Sequence, residues 1–120
     1  MTRPYMAPRP LKSSLPKAVG YLRLDLSGTA WERDELELLE LASQHGYDLV
    51  KTLRITLEIR EPVQRLLIVV RHLDAHAVLT PTLDHIGPPE PIRRACDLIV
   101  GSPELILPRL NAFDGGRRSH

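Results

Sequence analysis

Between residues 18 and 101 the chain alternates between short apolar runs with a two-residue period and longer runs with helical spacing, with glycine or proline at most of the joints. This alternation constrains the fold more than any other feature, because neighbouring parallel strands need a crossover long enough to hold a helix. The stretch "AVGYLRLD" (18–25) sets Leu22 and Leu24 against Val19, Tyr21, Arg23 and Asp25, then runs out into a loop at Gly28. Thr29 is placed to cap a helix over residues 30–45, with Glu32 three positions later as in a capping box and Gly46 as the terminator. Leu38, Leu39 and Ala42 are the expected apolar face of that helix.

A second strand, rich in β-branched residues, begins near Asp48 and extends to Ile55 or beyond. In "EPVQRLLIVVRHL", Pro62 suits a first turn, and the spacing of Val63, Leu66, Leu67, Val70 and Leu73 predicts a helix. "AVLT" is a third strand stopped by Pro81, and "TLDHIGPPEP" is expected as a loop. A short helix over 91–96 and a fourth strand in "DLIVG" follow. The expected fold is α/β in three layers: a mainly parallel four-stranded sheet with flanking helices, formed by one domain over residues 18–110.

Residues 1–17 hold four prolines and four basic side chains with almost no apolar periodicity, and residues 111–120 ("NAFDGGRRSH") hold little that can pack. Both read as flexible tails. Sixteen basic residues against fifteen acidic ones leave a formal charge of +1, so no global field steers the protein onto DNA or a membrane. Aromatic residues at 4% provide no platform for stacking bases. Cys96 is the single cysteine, which excludes an internal disulfide. With no long apolar run and no signal-peptide layout, a reducing cytoplasm is the expected location and no membrane the expectation.

Four stretches in order resemble the catalytic domain of serine recombinases, the resolvase and invertase group: "GYLRLD", "LELASQHGYDLV", "REPVQRLL" and "AVLTPTLDHIG". The first is similar to the family's Gly-Tyr-x-Arg-Val-Ser, and the last to its strand and loop ending in Leu-Asp-Arg-Leu-Gly-Arg. The resemblance covers residues 18–101 and implies a resolvase-like fold in a bacterial protein. It also implies that Asp25 stands where the family holds the serine that attacks a DNA phosphodiester. Of the cations around that phosphate, Arg23 alone has a clear match. The two loop arginines fall on His85 and Pro88, whereas Asp84 is retained and Asp34 replaces a common glutamine.

A carboxylate in place of the serine adds anion to anion, and arginines at a phosphoryl transition state are worth roughly 10³ to 10⁵ in rate. The expectation is therefore a vestigial site (Arg23, Asp25, Asp84, His85) with no catalytic residue, cofactor or metal, in which Asp25 pairs with Arg23 or a nearby cation as a structural salt bridge. Ser27, in a Ser-Gly-Thr loop, reads as a turn hydroxyl in preference to a replacement nucleophile. His72 and His76 are four apart, but Asp74 and Ala75 look like the helix end, which leaves them as exposed histidines and not ligands. A response-receiver domain would need its acceptor aspartate after the third strand, where this chain has Thr80 and Pro81. The family's long dimerising helix and helix-turn-helix are not expected here.

The function expected is that of a non-catalytic resolvase-like domain acting through a protein partner or self-association, as a regulatory or accessory factor. The alternative is an accessory protein that holds DNA non-specifically through Arg3, Arg9, Lys12, Lys17, Arg117 and Arg118, and a third is an active recombinase with a serine nucleophile.

Overall fold

A computed structural model describes residues 14–110. Residues 1–13 of the expected N-terminal tail, with Arg3, Arg9 and Lys12, and the expected C-terminal tail at 111–120, with Arg117 and Arg118, lie outside the described residues. The elements run β1 (Lys17–Arg23), α1 (Leu24–Ser27), a 3-10 turn (Gly28–Ala30), α2 (Trp31–His45), β2 (Asp48–Ile55) and α3 (Pro62–Leu73). They continue with β3 (Ala77–Thr80), α4 (Leu83–Ile86), α5 (Glu90–Arg93), β4 (Asp97–Val100) and β5 (Leu105–Leu107).

The sheet has the order β2-β1-β3-β4-β5; the first four strands are parallel, and β5 returns antiparallel to β4. The four-stranded expectation is thus corrected to five. β5 spans three half-open residues, Leu105 to Leu107, too short a run for alternation to announce it.

Two apolar layers cover the sheet. On one face Leu38, Leu41 and Ala42 of α2 pack on Ala18, Ala77, Leu79 and Ile99. On the other, Leu66 and Val70 of α3 and Ile92 of α5 pack on Val19, Tyr21, Val78, Leu98 and Val100. β1 is buried from Ala18 to Leu22 because both of its faces are covered. Burying each of these large aliphatic side chains contributes about 1.5–3 kcal/mol.

Leu41, not Leu39, completes the buried face of α2; Leu39 is 51% exposed. At 100° per residue, position 41 returns to within 60° of Leu38, whereas position 39 turns away by a full 100°. The capping box does not form either. The 3-10 turn runs straight into α2, so Thr29 lies inside a turn, and Ala30 precedes the helix with no side-chain cap. Gly46 ends α2 as expected, in the left-handed conformation at φ 77°.

Other boundaries move. β1 stops at Arg23, and Asp25 lies on the helical turn that follows instead of on the strand. Lys17, read as tail, is the first residue of β1, and its Nζ donates to the Leu73 carbonyl at 3.3 Å. The short helix spans Glu90–Arg93, and α4 forms inside the segment expected as loop. No helix among the described residues is long and apolar enough to cross a membrane.

Candidate functional site

β1 is the strand at which the winding of the sheet reverses: the chain passes from β1 to β2 on one side, then crosses over to β3 on the other. The carboxyl ends of β1 and β3 therefore border a crevice of the kind in which open α/β sheets hold ligands. Arg23 closes β1 there, α1 carries Asp25 and Ser27, and α4 brings His85 in from beyond β3.

The geometry is specific. The Arg23 guanidinium grips the Asp25 carboxylate at two points: Nε donates to Oδ1 at 3.1 Å and Nη2 to Oδ2 at 2.6 Å. The backbone N–H of the same arginine donates to Nδ1 of His85 at 2.9 Å. His85 is 4% exposed, so this bond gives a buried imidazole nitrogen its partner. Beneath it, the buried Thr80 hydroxyl donates to the Tyr21 carbonyl at 3.1 Å and ties β3 to β1. Ser27 donates to Asp34 Oδ2 at 2.6 Å, two helical turns along.

The electrostatics follow from these contacts. Hydrogen bonding from Arg23 holds the Asp25 carboxyl below its ordinary range, so it is ionised at neutral pH; the same bond pushes the arginine up. Burial pushes the Tyr21 phenol up. His85 is pushed down chiefly by burial and further by Arg23, while the carboxylates of Asp34, Asp25 and Asp84 pull the other way.

Of the expected vestigial set, the structure thus brings Arg23, Asp25 and His85 into one bonded cluster. Asp84 lies on the exposed first turn of α4, where its charge reaches His85 without a direct bond, and Pro88 is exposed beyond it. The pairing of Ser27 with Asp34 is the part that sequence reasoning missed. No spacing announced it: seven residues along one helix stand about 10.5 Å apart, and the bond forms because the 3-10 turn between α1 and α2 breaks that path. His72 and His76 do not converge, because α3 ends at Leu73 and Asp74 turns left-handed at φ 57°. Among the described residues no group of three or more His, Cys, Asp or Glu could hold a metal ion.

A second surface lies between α2 and the edge strand β2. Leu36, Leu39 and Val50 stand 61%, 51% and 40% exposed beside Trp31, around a cavity of about 610 Å³. Arg54 covers the Trp31 ring at 5.3 Å and pairs with Glu35 at 2.9 Å.

No protein-family model matches the sequence, and a search of curated proteins finds no match. Among solved structures, the C-terminal catalytic domain of ISC1926 TnpA, an IS607-like serine recombinase, aligns with a TM-score of 0.57 and 21% identity. The alignment covers 71% of this chain and 67% of that one. The fold is that of a serine recombinase catalytic domain. In that recombinase fold, the Arg23–Asp25–His85 cluster occupies the crevice at the end of the first strand.

Proposed function

We propose that this domain keeps the recombinase fold without strand-transfer chemistry, and that it acts by binding a second copy of itself. The two-point ion pair between Arg23 and Asp25 carries the reading. A guanidinium whose Nε/Nη2 edge grips a carboxylate has its charge offset by that carboxylate, so an approaching phosphate meets a neutral pair in place of a free cation. Were the Asp25 carboxylate itself to attack a phosphodiester, it would form an acyl phosphate, a labile mixed anhydride in place of a reversible ester.

Supercoiled plasmid tests this directly. Neither the natural chain nor Asp25→Ser is expected to nick it, because His85 and Pro88 leave the phosphate with one cation even when a hydroxyl is restored. Nicking by Asp25→Ser would show that a single substitution separates this chain from an active recombinase, and nicking by the natural chain would end the non-catalytic reading.

Self-association is favoured by the strip between α2 and β2. Its α2 wall carries Glu32 and Glu35 and its β2 wall carries Lys51 and Arg54, with Leu36, Leu39 and Val50 between. Glu32 and Lys51 make no ion pair among the described residues. A strip with oppositely charged walls is complementary to itself under a twofold rotation. Sedimentation equilibrium is expected to give a dimer for the natural chain and a monomer for Leu36→Glu with Leu39→Glu. A monomeric natural chain at 100 μM or so, far above the dissociation constants of stable dimers, rules this interface out.

A further inference from the structure

At the opposite pole of the sheet, where the strands begin, a cleft of about 1000 Å³ opens between the ends of α3 and α5 and the first residues of β4. Three arginines from three different elements line it: Arg71 in the last turn of α3, Arg94 just past α5, and Arg109 beyond β5. Arg23 and Arg54 are each matched to a carboxylate; these three, like Arg33, Arg60, Arg65 and Arg93, form no ion pair among the described residues, and they alone of that group line this cavity. Cations at helix carboxyl ends are ordinary, and that accounts for Arg71 and Arg94. It does not account for Arg109, which follows a strand.

We propose that this cleft binds a phosphorylated, hydroxyl-bearing ligand of nucleotide size. The site is distinct from the one at the end of β1 and does not rest on the reading given for it. Three exposed guanidiniums line the cavity against two carboxylates, Asp74 and Asp97, and a phosphate held by their planar forks balances the excess positive charge.

The two carboxylates in the lining have different roles. Asp97 is committed within the protein: Oδ2 accepts from the Tyr47 hydroxyl at 3.1 Å and Oδ1 from the Arg109 backbone N–H at 2.7 Å. Asp74, exposed at the left-handed turn that ends α3, is left to accept from ligand hydroxyls. Leu67, Pro91 and Ala95 supply an apolar wall for a ring. The volume suits a ligand of this size.

The test is calorimetric titration of the full chain with ADP, followed by displacement with a random duplex, since a phosphate can come from a free nucleotide or from a polymer. ADP is expected to bind, and Arg94→Gln and Arg109→Gln are each expected to weaken it about tenfold or more, the cost of one charge-assisted hydrogen bond. Asp74→Asn, which suits a left-handed residue, is expected to weaken ADP while sparing inorganic pyrophosphate. A duplex that displaces ADP and depends on the same arginines keeps the site and names nucleic acid as the phosphate source; a duplex that does not displace it leaves the free nucleotide. No heat with ADP or pyrophosphate overturns the proposal, as does binding that survives the arginine substitutions in variants with unchanged melting temperatures.

Discussion

Gly20→Ala is expected to destabilise the domain by about 1–3 kcal/mol, the range for forcing an extra carbon into a packed interior. A Cβ at this position would lie 2.8 Å from Oγ1 of Thr52 and 3.0 Å from Cδ1 of Leu38. Neither neighbour can move away cheaply. Rotating the β-branched Thr52 brings round its Cγ2, itself only 3.2 Å away, and Leu38 is 1% exposed within the α2 layer. Alanine gains up to about 1 kcal/mol over glycine in chain entropy, which the clash must exceed.

Thermal melting followed by circular dichroism should show a drop of roughly 4–8 °C for each kcal/mol lost. Gly20→Val should fall further. Thr52→Ala in the Gly20→Ala background should recover part of the loss, since it removes the crowding atoms, and the two substitutions should be non-additive. A Gly20→Ala protein that melts at or above the natural chain would show that α2 does not sit this close to β1.

The second large effect is at His85. Removing its acceptor with His85→Leu leaves the half-buried Arg23 N–H without its partner, at a cost of about 1 kcal/mol or more. His85→Asn places an amide oxygen near the same point and should lose less. The pH dependence carries a sign. Nδ1 accepts a hydrogen bond only when it is unprotonated, and the folded protein holds His85 below the ordinary histidine value. The folded state therefore binds fewer protons than the unfolded one, so this contribution is whole above the unfolded pKa of about 6.5. It fades as pH falls through 6.5 toward the lower folded value. Urea midpoints between about pH 5 and pH 8 should decline on the acid side in the natural chain, and His85→Asn should flatten that part of the curve. Equal slopes in the two proteins would mean that His85 does not titrate differently on folding.

Much of this architecture was legible in the sequence, for physical reasons that differ by element. β2, α3, β3 and β4 fall where periodicity and proline placed them, because Pro62 fixes a helix start and the apolar runs are long enough to show their period. The parallel sheet followed from the alternation alone. Features that depend on contacts distant in sequence were hidden. β5 exists because β4 offers it an edge, and α4 forms in a proline-punctuated segment with Ile86 buried in the core and His85 beneath Arg23.

At the candidate site, Arg23, Asp25, Asp84 and His85 were visible through resemblance. The pairing of Asp25 with Arg23 was legible as well and is present at two points, whereas the burial of His85 was not, since it depends on α4 packing beside the end of β1. The arginines of the opposite pole stand far apart in sequence, at 71, 94 and 109, and only the fold brings them around one cleft.

The strand order also sets a schedule for how the chain acquires its shape. β1, an interior strand of the sheet, is the first of the described strands to be synthesised, yet its two hydrogen-bonded neighbours are β2 and β3, each reached only after an intervening helix. Until Ala77–Thr80 arrives, the edge of β1 from Ala18 to Gly20, on a strand buried on both faces in the finished molecule, stays open to strangers. Pairings this remote also form slowly, because the loops between them must close first. The young chain is thus most exposed to aggregation before β3 is made, a hazard that shielding by chaperones during synthesis would meet.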